Sequence, residues 1–165
     1  TVNKAEWGPG EWADEPDKVQ WIDEATDLDC LAVRHPRLGH WCGYVGVPSE
    51  HPCHGLDEGR VRIKGEEGDA WPDAHGGLTF ASKCQEGEDE SKGVCHVPLS
   101  GRPDNVWWFG FDCAHSGDLS PGMDRITGPR FAWEAYRTLD YVRRETANLA
   151  AQLLAAFPAH IEDED

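Results

Sequence analysis

Val106-Trp-Trp-Phe-Gly-Phe-Asp-Cys-Ala-His115 decides the fold. Its aromatic run is that of a strand, spanning 105–113 and stronger than any other in the chain. Side chains alternate faces along a strand. Trp107, Phe109, Phe111, Cys113 and His115 therefore share one face, and Val106, Trp108, Gly110, Asp112 and Ala114 the other. The first face is a core wall ending in two metal-ligating side chains. The second sets Gly110 between Trp108 and Asp112, which leaves room for a ligand to approach the sheet. Trp108 would then stack a ring.

Outward from this strand, residues 30–35 and 41–47 read as a hairpin about Pro36 and Gly39. Residues 61–64 alternate as a half-buried strand, 65–74 are a polar connection, and 77–82 are a short strand behind a Gly pair. Leu139, Val142, Thr146, Leu149, Leu153 and Phe157 recur at three- and four-residue steps, which predicts a helix over 131–157. Its stripe covers the core or seams a homodimer. Pro16, with Asp14 or Glu15 as cap, predicts a short helix over 18–25 with Val19 and Ile22 on one face. The expected class is α+β: a small, mainly antiparallel sheet packed by one long C-terminal helix and a short N-terminal helix. Residues 1–161 form one domain, and 162–165 are a disordered acidic tail.

A chain of 165 residues can bury roughly two-thirds of its unfolded surface. Eight Trp offset an apolar fraction of only 39%, because each can bury ~150–250 Å². The formal charge is -16, from 31 acidic and 15 basic residues. Such a surface repels phosphate backbones and argues against direct binding of duplex nucleic acid; it suits a basic protein partner. No stretch approaches the ~18 apolar residues of a membrane span, so no membrane partner is expected. Residues 1–10 have no apolar h-region, which points to a cytoplasmic chain with its six Cys as thiols or metal ligands.

The densest chemistry lies between His75 and Asp118. Cys113 and His115 are two apart and can point at one ion, and Asp118 can return to it from a turn. Upstream, Cys84 and Cys95 flank an acidic loop. Thiolate and imidazole are the usual zinc ligands. A closed zinc site would use Cys84, Cys95, Cys113 and His115; an open one would use His75, Asp112, His115 and Asp118 with a water that ionises near neutral pH. The Cys84–Cys95 spacing equally suits a disulfide loop. His75-Gly-Gly-Leu-Thr79 adds an anion wall: Gly76 and Gly77 allow positive φ and turn N–H groups toward a ligand, flanked by His75 and Thr79. It lacks the Lys and helix of a P-loop. His54, in His51-Pro-Cys-His-Gly55, could join His75. There is no G-x-S-x-G motif.

The chain resembles a family of small proteins of actinobacterial phages and related bacteria. The resemblance rests on Trp41-Cys-Gly-Tyr-Val-Gly-Val-Pro48, His51-Pro52 with His54-Gly55, His75-Gly-Gly-Leu-Thr79 and Trp107-Trp-Phe-Gly-Phe-Asp-Cys-Ala-His-Ser-Gly-Asp118, and spans most of 15–155. It implies an intracellular accessory protein, in the host cytoplasm if phage-encoded, and raises counter-defence roles such as capture of a nucleotide signal. It carries over no catalytic residue.

Three functions follow as expectations. The first is a zinc-binding hydrolase of a small phosphorylated or nucleotide-like compound, with His75 and Asp112 catalytic, Gly76, Gly77, Thr79 and Trp108 binding the ligand, and Cys84, Cys95, Cys113, His115 and Asp118 as metal ligands. The second is a non-catalytic binder of a nucleotide-like signal in the same pocket. The third is a zinc-stabilised interaction module presenting an acidic surface.

Overall fold

The computed structural model describes residues 4–85, 93–96, 105–123 and 134–159. Within them the strands are β1 Lys18–Ile22, β2 Asp29–Arg34, β3 Trp41–Pro48, β4 Val61–Gly65, β5 Gly68–Ala70, β6 Phe80–Lys83, β7 Val106–Asp112 and β8 Phe157–Pro158, with one long helix, α1 Leu139–Leu154. β1, β2, β3, β7 and β6 lie side by side in that order, every pairing antiparallel. β5, β4 and β8 form a second, smaller sheet. The α+β class and the mainly antiparallel sheet are as the sequence predicts.

The alternation along β7 holds. Trp107, Phe109, Phe111 and Cys113 pack in one apolar cluster with Trp41, Val45 and Val47 of β3. Val106 and Trp108 pack in a second with Leu31, Val33 and Tyr44. α1 covers the first face with Val142, Thr146, Leu149, Ala150 and Leu153, and each large apolar side chain so buried contributes about 1.5–3 kcal/mol. The helix comes close because β3 has Gly43: a Cβ there would lie 2.5 Å from both Thr146 Oγ1 and the Phe111 ring. Thr146 donates to the Val142 carbonyl at 2.7 Å, which satisfies its buried hydroxyl.

Residues 93–96 lie over the second face. Val94 joins its cluster, and the His96 ring meets Trp108 edge-on at 5.3 Å. Three ties hold the segment there: a bridge between Gln85 and Val94, Lys18 Nζ donating to the Gly93 and Cys95 carbonyls at 2.9 and 2.8 Å, and a Cys84–Cys95 disulfide. Both faces of the central strands β2, β3 and β7 are thus largely covered.

Three expectations are corrected. Residues 18–22 are strand β1, with Trp21 opposite Cys30, and not the start of a helix over 18–25. Lys18-Val-Gln-Trp-Ile22 also alternates, and pairing with β2 satisfies backbone groups that a bare edge would leave open. Helical character near the N-terminus is confined to 3-10 turns at Lys4–Trp7 and Glu11–Asp14. Glu15 instead serves α1, accepting the Leu139 N–H at 2.6 Å; a carboxylate is favoured at that positive helix end. Finally, α1 begins at Leu139, capped by Thr138 Oγ1 on the Tyr141 N–H at 3.2 Å, while Phe157 lies in β8. The expected helix start at 131–133, the acidic loop at 86–92 and the tail at 162–165 lie outside the described residues.

Candidate functional site

With its faces covered, β7 offers chemistry where it ends. Beyond Asp112 the chain turns: the Asp118 N–H donates to the His115 carbonyl at 2.9 Å, and Asp118 Oδ2 accepts the His115 N–H at 3.0 Å. This side-chain-closed turn fixes a carboxylate that is only 3% exposed. Asp118 Oδ1 accepts from Arg137 Nε at 2.8 Å and Oδ2 from His75 Nε2 at 2.7 Å. Burial pushes the carboxyl pKa up, but the Arg137 and His75 hydrogen bonds and the His115 N–H outweigh it and hold the group below its ordinary 3.8.

His75 arrives on the loop before β6. That loop is tied to α1 by Gln152, which accepts the Asp73 N–H at 2.6 Å and donates to the Asp73 carbonyl at 2.7 Å. It is tied to β7 by the Thr79 N–H on the Gly110 carbonyl at 2.9 Å. A carboxylate only accepts, so His75 Nε2 carries the proton toward Asp118, and Nδ1 shares a hydrogen with the Tyr141 hydroxyl at 2.6 Å. Burial and the neighbouring Glu145 push the Tyr141 hydroxyl up to about 12, so it stays protonated at neutral pH. Tyr141 also lines a shallow cleft of about 360 Å³ with Arg144, Glu145 and Asn148. The result is a chain of carboxylate, imidazole and hydroxyl running from a buried anion to an open surface.

A second pair lies beside the first. His115 Nε2 comes within 3.1 Å of Asp112 Oδ1, but off the angle of a hydrogen bond, so among the described residues the buried Nε2 has no hydrogen-bond partner. The His75 and His115 rings are 6.1 Å apart, centre to centre. Asp112 is itself fixed by Thr79 Oγ1 and the Ala114 N–H, both at 3.1 Å. Gly76 and Gly77 take φ of 70° and 83°, as the sequence predicts. Gly76 lies against the His115 ring, where a Cβ would sit 2.2 Å from Nε2.

The structure therefore brings together His75, Asp112, His115, Asp118, Gly76, Gly77 and Thr79. It does not assemble the closed zinc set. Cys84 and Cys95 are bonded to each other, because the Gln85–Val94 bridge closes the loop between them and sets their Cα atoms 4.7 Å apart. Lys83 pairs with Trp107, which puts Cys84 opposite Val106 and about 23 Å along β7 from Cys113 at ~3.3 Å per residue. Cys113 is 1% exposed, and burial pushes its thiol well above the ordinary range. His75, Asp118, His115 and Asp112 meet as carboxylate–imidazole pairs, and among the described residues no three His, Cys, Asp or Glu side chains are placed to hold a metal ion.

Three ligand expectations also change. Trp108 is fully buried and cannot stack a ligand. The space at Gly110 is filled by Tyr44, whose ring would lie 2.3 Å from a Cβ there. His54 turns away to the Val47 carbonyl at 3.2 Å. Nothing in the sequence singles out Tyr141 or Arg137: Tyr141 flanks the apolar stripe of α1 and Arg137 precedes the helix, with no motif to mark either.

No protein-family model, curated protein or solved structure matches the chain. Among the described residues no helix is long and apolar enough to cross a membrane.

Proposed function

We propose that the chain is an acid–base hydrolase of a small phosphorylated, nucleotide-like compound, working through Asp118, His75 and Tyr141. The observation that carries this is the continuous relay, 2.7 Å from Asp118 to His75 and 2.6 Å from His75 to Tyr141, ending at a cleft. Imidazole is the side chain best suited to pass a proton near neutral pH, and a buried carboxylate that orients it is the recurring arrangement of such sites. In this reading Tyr141 gives its proton to the leaving alkoxide, His75 and Asp118 hold the hydroxyl in place, and the proton that His115 takes from water returns to the Tyr141 phenolate through solvent in the cleft. His115, beside Asp112, takes the proton of the water that adds at phosphorus. The ester P–O bond breaks, a new P–O bond forms, and alcohol and phosphate leave with the two hydrogens of that water. Arg144 meets the anion locally, against the repulsion of the -16 chain.

The test is turnover of bis(p-nitrophenyl) phosphate and nucleoside monophosphates by the purified chain. Tyr141→Phe keeps the ring and removes the hydroxyl. It is expected to lower kcat by about 10²–10⁴ with little change in KM. Full activity in that variant, or no turnover of any phosphoester, refutes the reading. One observation favours a second reading, a non-catalytic binder: both ring nitrogens of His75 are already engaged, as in a rigid, preformed pocket. It predicts stoichiometric binding with ligand recovered unchanged.

A further inference from the structure

With Trp108 buried, the most exposed indole among the described residues becomes the relevant one. Trp71 is 62% exposed, although the large apolar side chains around it are covered. It stands just after β5, where Ile63 pairs with Ala70; one step along that register Arg62 lies across from Trp71. The Arg62 guanidinium stacks over the indole at 3.5 Å from the ring centre. Its Nη1 is also tied to the carbonyls of Gly59 and Val61 at 2.8 and 2.9 Å. The indole is therefore held in place before any ligand arrives, which lowers the ordering cost of binding.

Beside it is a cleft of about 180 Å³ lined by Glu58, Gly59, Trp71, Pro72, Gly77 and Leu78. Pockets for drug-sized ligands run to ~300–1,000 Å³, so this one fits a single ring and not a whole dinucleotide. Cβ atoms at Gly59 and Gly77 would meet nothing within 4 Å, so the floor is open. Glu58 supplies an acceptor for ring N–H groups. The chain's charge of -16 favours a neutral occupant over an anion here. Gly77 is two residues from His75, at most about 7 Å of chain.

We infer that Trp71, with Glu58, Gly59 and Leu78, forms a subsite for a neutral planar heterocycle, the base of a nucleotide whose phosphate reaches the His75 relay. This rests on the hydrolase reading for the phosphate end only; the ring end stands on its own geometry. A base stacked on an aromatic side chain is worth a factor of about five to a hundred in affinity.

The experiment measures binding of adenosine monophosphate, adenosine and ribose phosphate by calorimetry to the full chain and to two variants. Trp71→Ala removes the platform from an exposed position. Gly59→Leu fills the cleft from a residue with open space and no left-handed backbone. The expected result is that both variants bind adenosine and adenosine monophosphate about five- to a hundredfold more weakly, with ribose phosphate binding unchanged. The inference is overturned if the wild-type chain binds neither adenosine compound, if ribose phosphate binds as tightly as adenosine monophosphate, or if both variants match wild type. Trp71-dependent binding of adenosine with no turnover of any phosphoester would sustain the subsite and remove the hydrolase. Turnover without any Trp71 dependence would do the reverse.

Discussion

Gly76 and Gly77 offer a matched pair of perturbations. Both hold left-handed φ, 70° and 83°, but a Cβ at Gly76 would lie 2.2 Å from the His115 ring while one at Gly77 would meet nothing within 4 Å. An alanine in that backbone region costs about 1–2 kcal/mol. For a chain of this size each kcal/mol lowers the Tm by about 2–4 °C, so both variants should melt about 2–8 °C below wild type. In Gly76→Ala the imidazole must also swing off Asp112. His115 is a third exposed, so the added loss is that of a partly exposed contact, at most about 1 kcal/mol. Stability therefore separates the two variants only weakly. The His115 side chain separates them strongly: its carbon–proton resonances should shift in Gly76→Ala and stay in place in Gly77→Ala. If His115 is the base for water, phosphoester turnover should fall by about 10²–10⁴ in Gly76→Ala, well beyond any loss in Gly77→Ala, whose residue only lines the cleft beside Trp71. Equal movement of the His115 resonances in both variants, or none in Gly76→Ala, would refute the packing of Gly76 on His115.

Other outcomes follow from groups nearby. Burial, with the His35 ring stacked 5.0 Å away, brings His40 down from 6.5 to about 4; the unfolded chain alone takes up that proton between those values, so stability present above about pH 6.5 is lost as pH falls toward 4, by about 3 kcal/mol in full. In His40→Gln, urea midpoints at pH 7 and pH 4.5 should lie closer together than in wild type. Asp118→Asn should cost about 1–3 kcal/mol at neutral pH in chemical denaturation, by leaving the part-buried donors of Arg137 and His75 without their anion. Because the folded Asp118 titrates below 3.8, its contribution is whole above that value and lost below it, so the variant should also shed part of the wild-type acid transition. Cys84→Ser with Cys95→Ser opens a loop of sequence separation 11, which chain entropy values at about 3 kcal/mol; iodide should then quench Trp108 fluorescence, and an unchanged melting curve would deny the clasp its role.

β7 was readable because two local signals agreed: an aromatic run and a period of two that sorts Phe109 from Trp108. α1 was readable because its stripe repeats over four turns. The reading failed where the same residues fit two periods. Val19 and Ile22 are spaced for a helix, yet Val19 and Trp21 are equally spaced for a strand, and only the bare edge of β2 decides between them. The exposure of Trp108 and the space at Gly110 were also misjudged, because alternation says which side chains share a face and not what covers it. Here Val94 and Tyr44 cover it. The Cys84–Cys95 pairing was one of two open options, resolved by a bridge whose partners, Gln85 and Val94, carry no sequence signal of pairing. His75, His115, Asp112 and Asp118 were found as residue types suited to proton or metal chemistry; their sorting into two pairs depends on the turn that aims Asp118 backward.

That turn explains why the chemistry lies where it does. The central strands β2, β3 and β7 are mostly buried, between α1 and the segment around Val94, so the polar groups of β7 meet solvent from Asp112 onward. Three separate segments then converge: Asp118 after β7, His75 before β6, and Tyr141 in the first turn of α1. Each is fixed by a bond that does no chemistry itself, namely the His115 N–H on Asp118, Gln152 on the Asp73 backbone and Glu15 on the Leu139 N–H. Glu15 also accepts from the buried Arg34 at 3.2 Å and from Tyr136, so the entry of α1 is anchored to β2 as well as to its own cap. The position of the Tyr141 hydroxyl is thus set by the N-terminal arm, over 120 residues away in sequence. In the proposed hydrolase, that placement of the end group would hold the two short hydrogen bonds in the geometry that proton transfer requires.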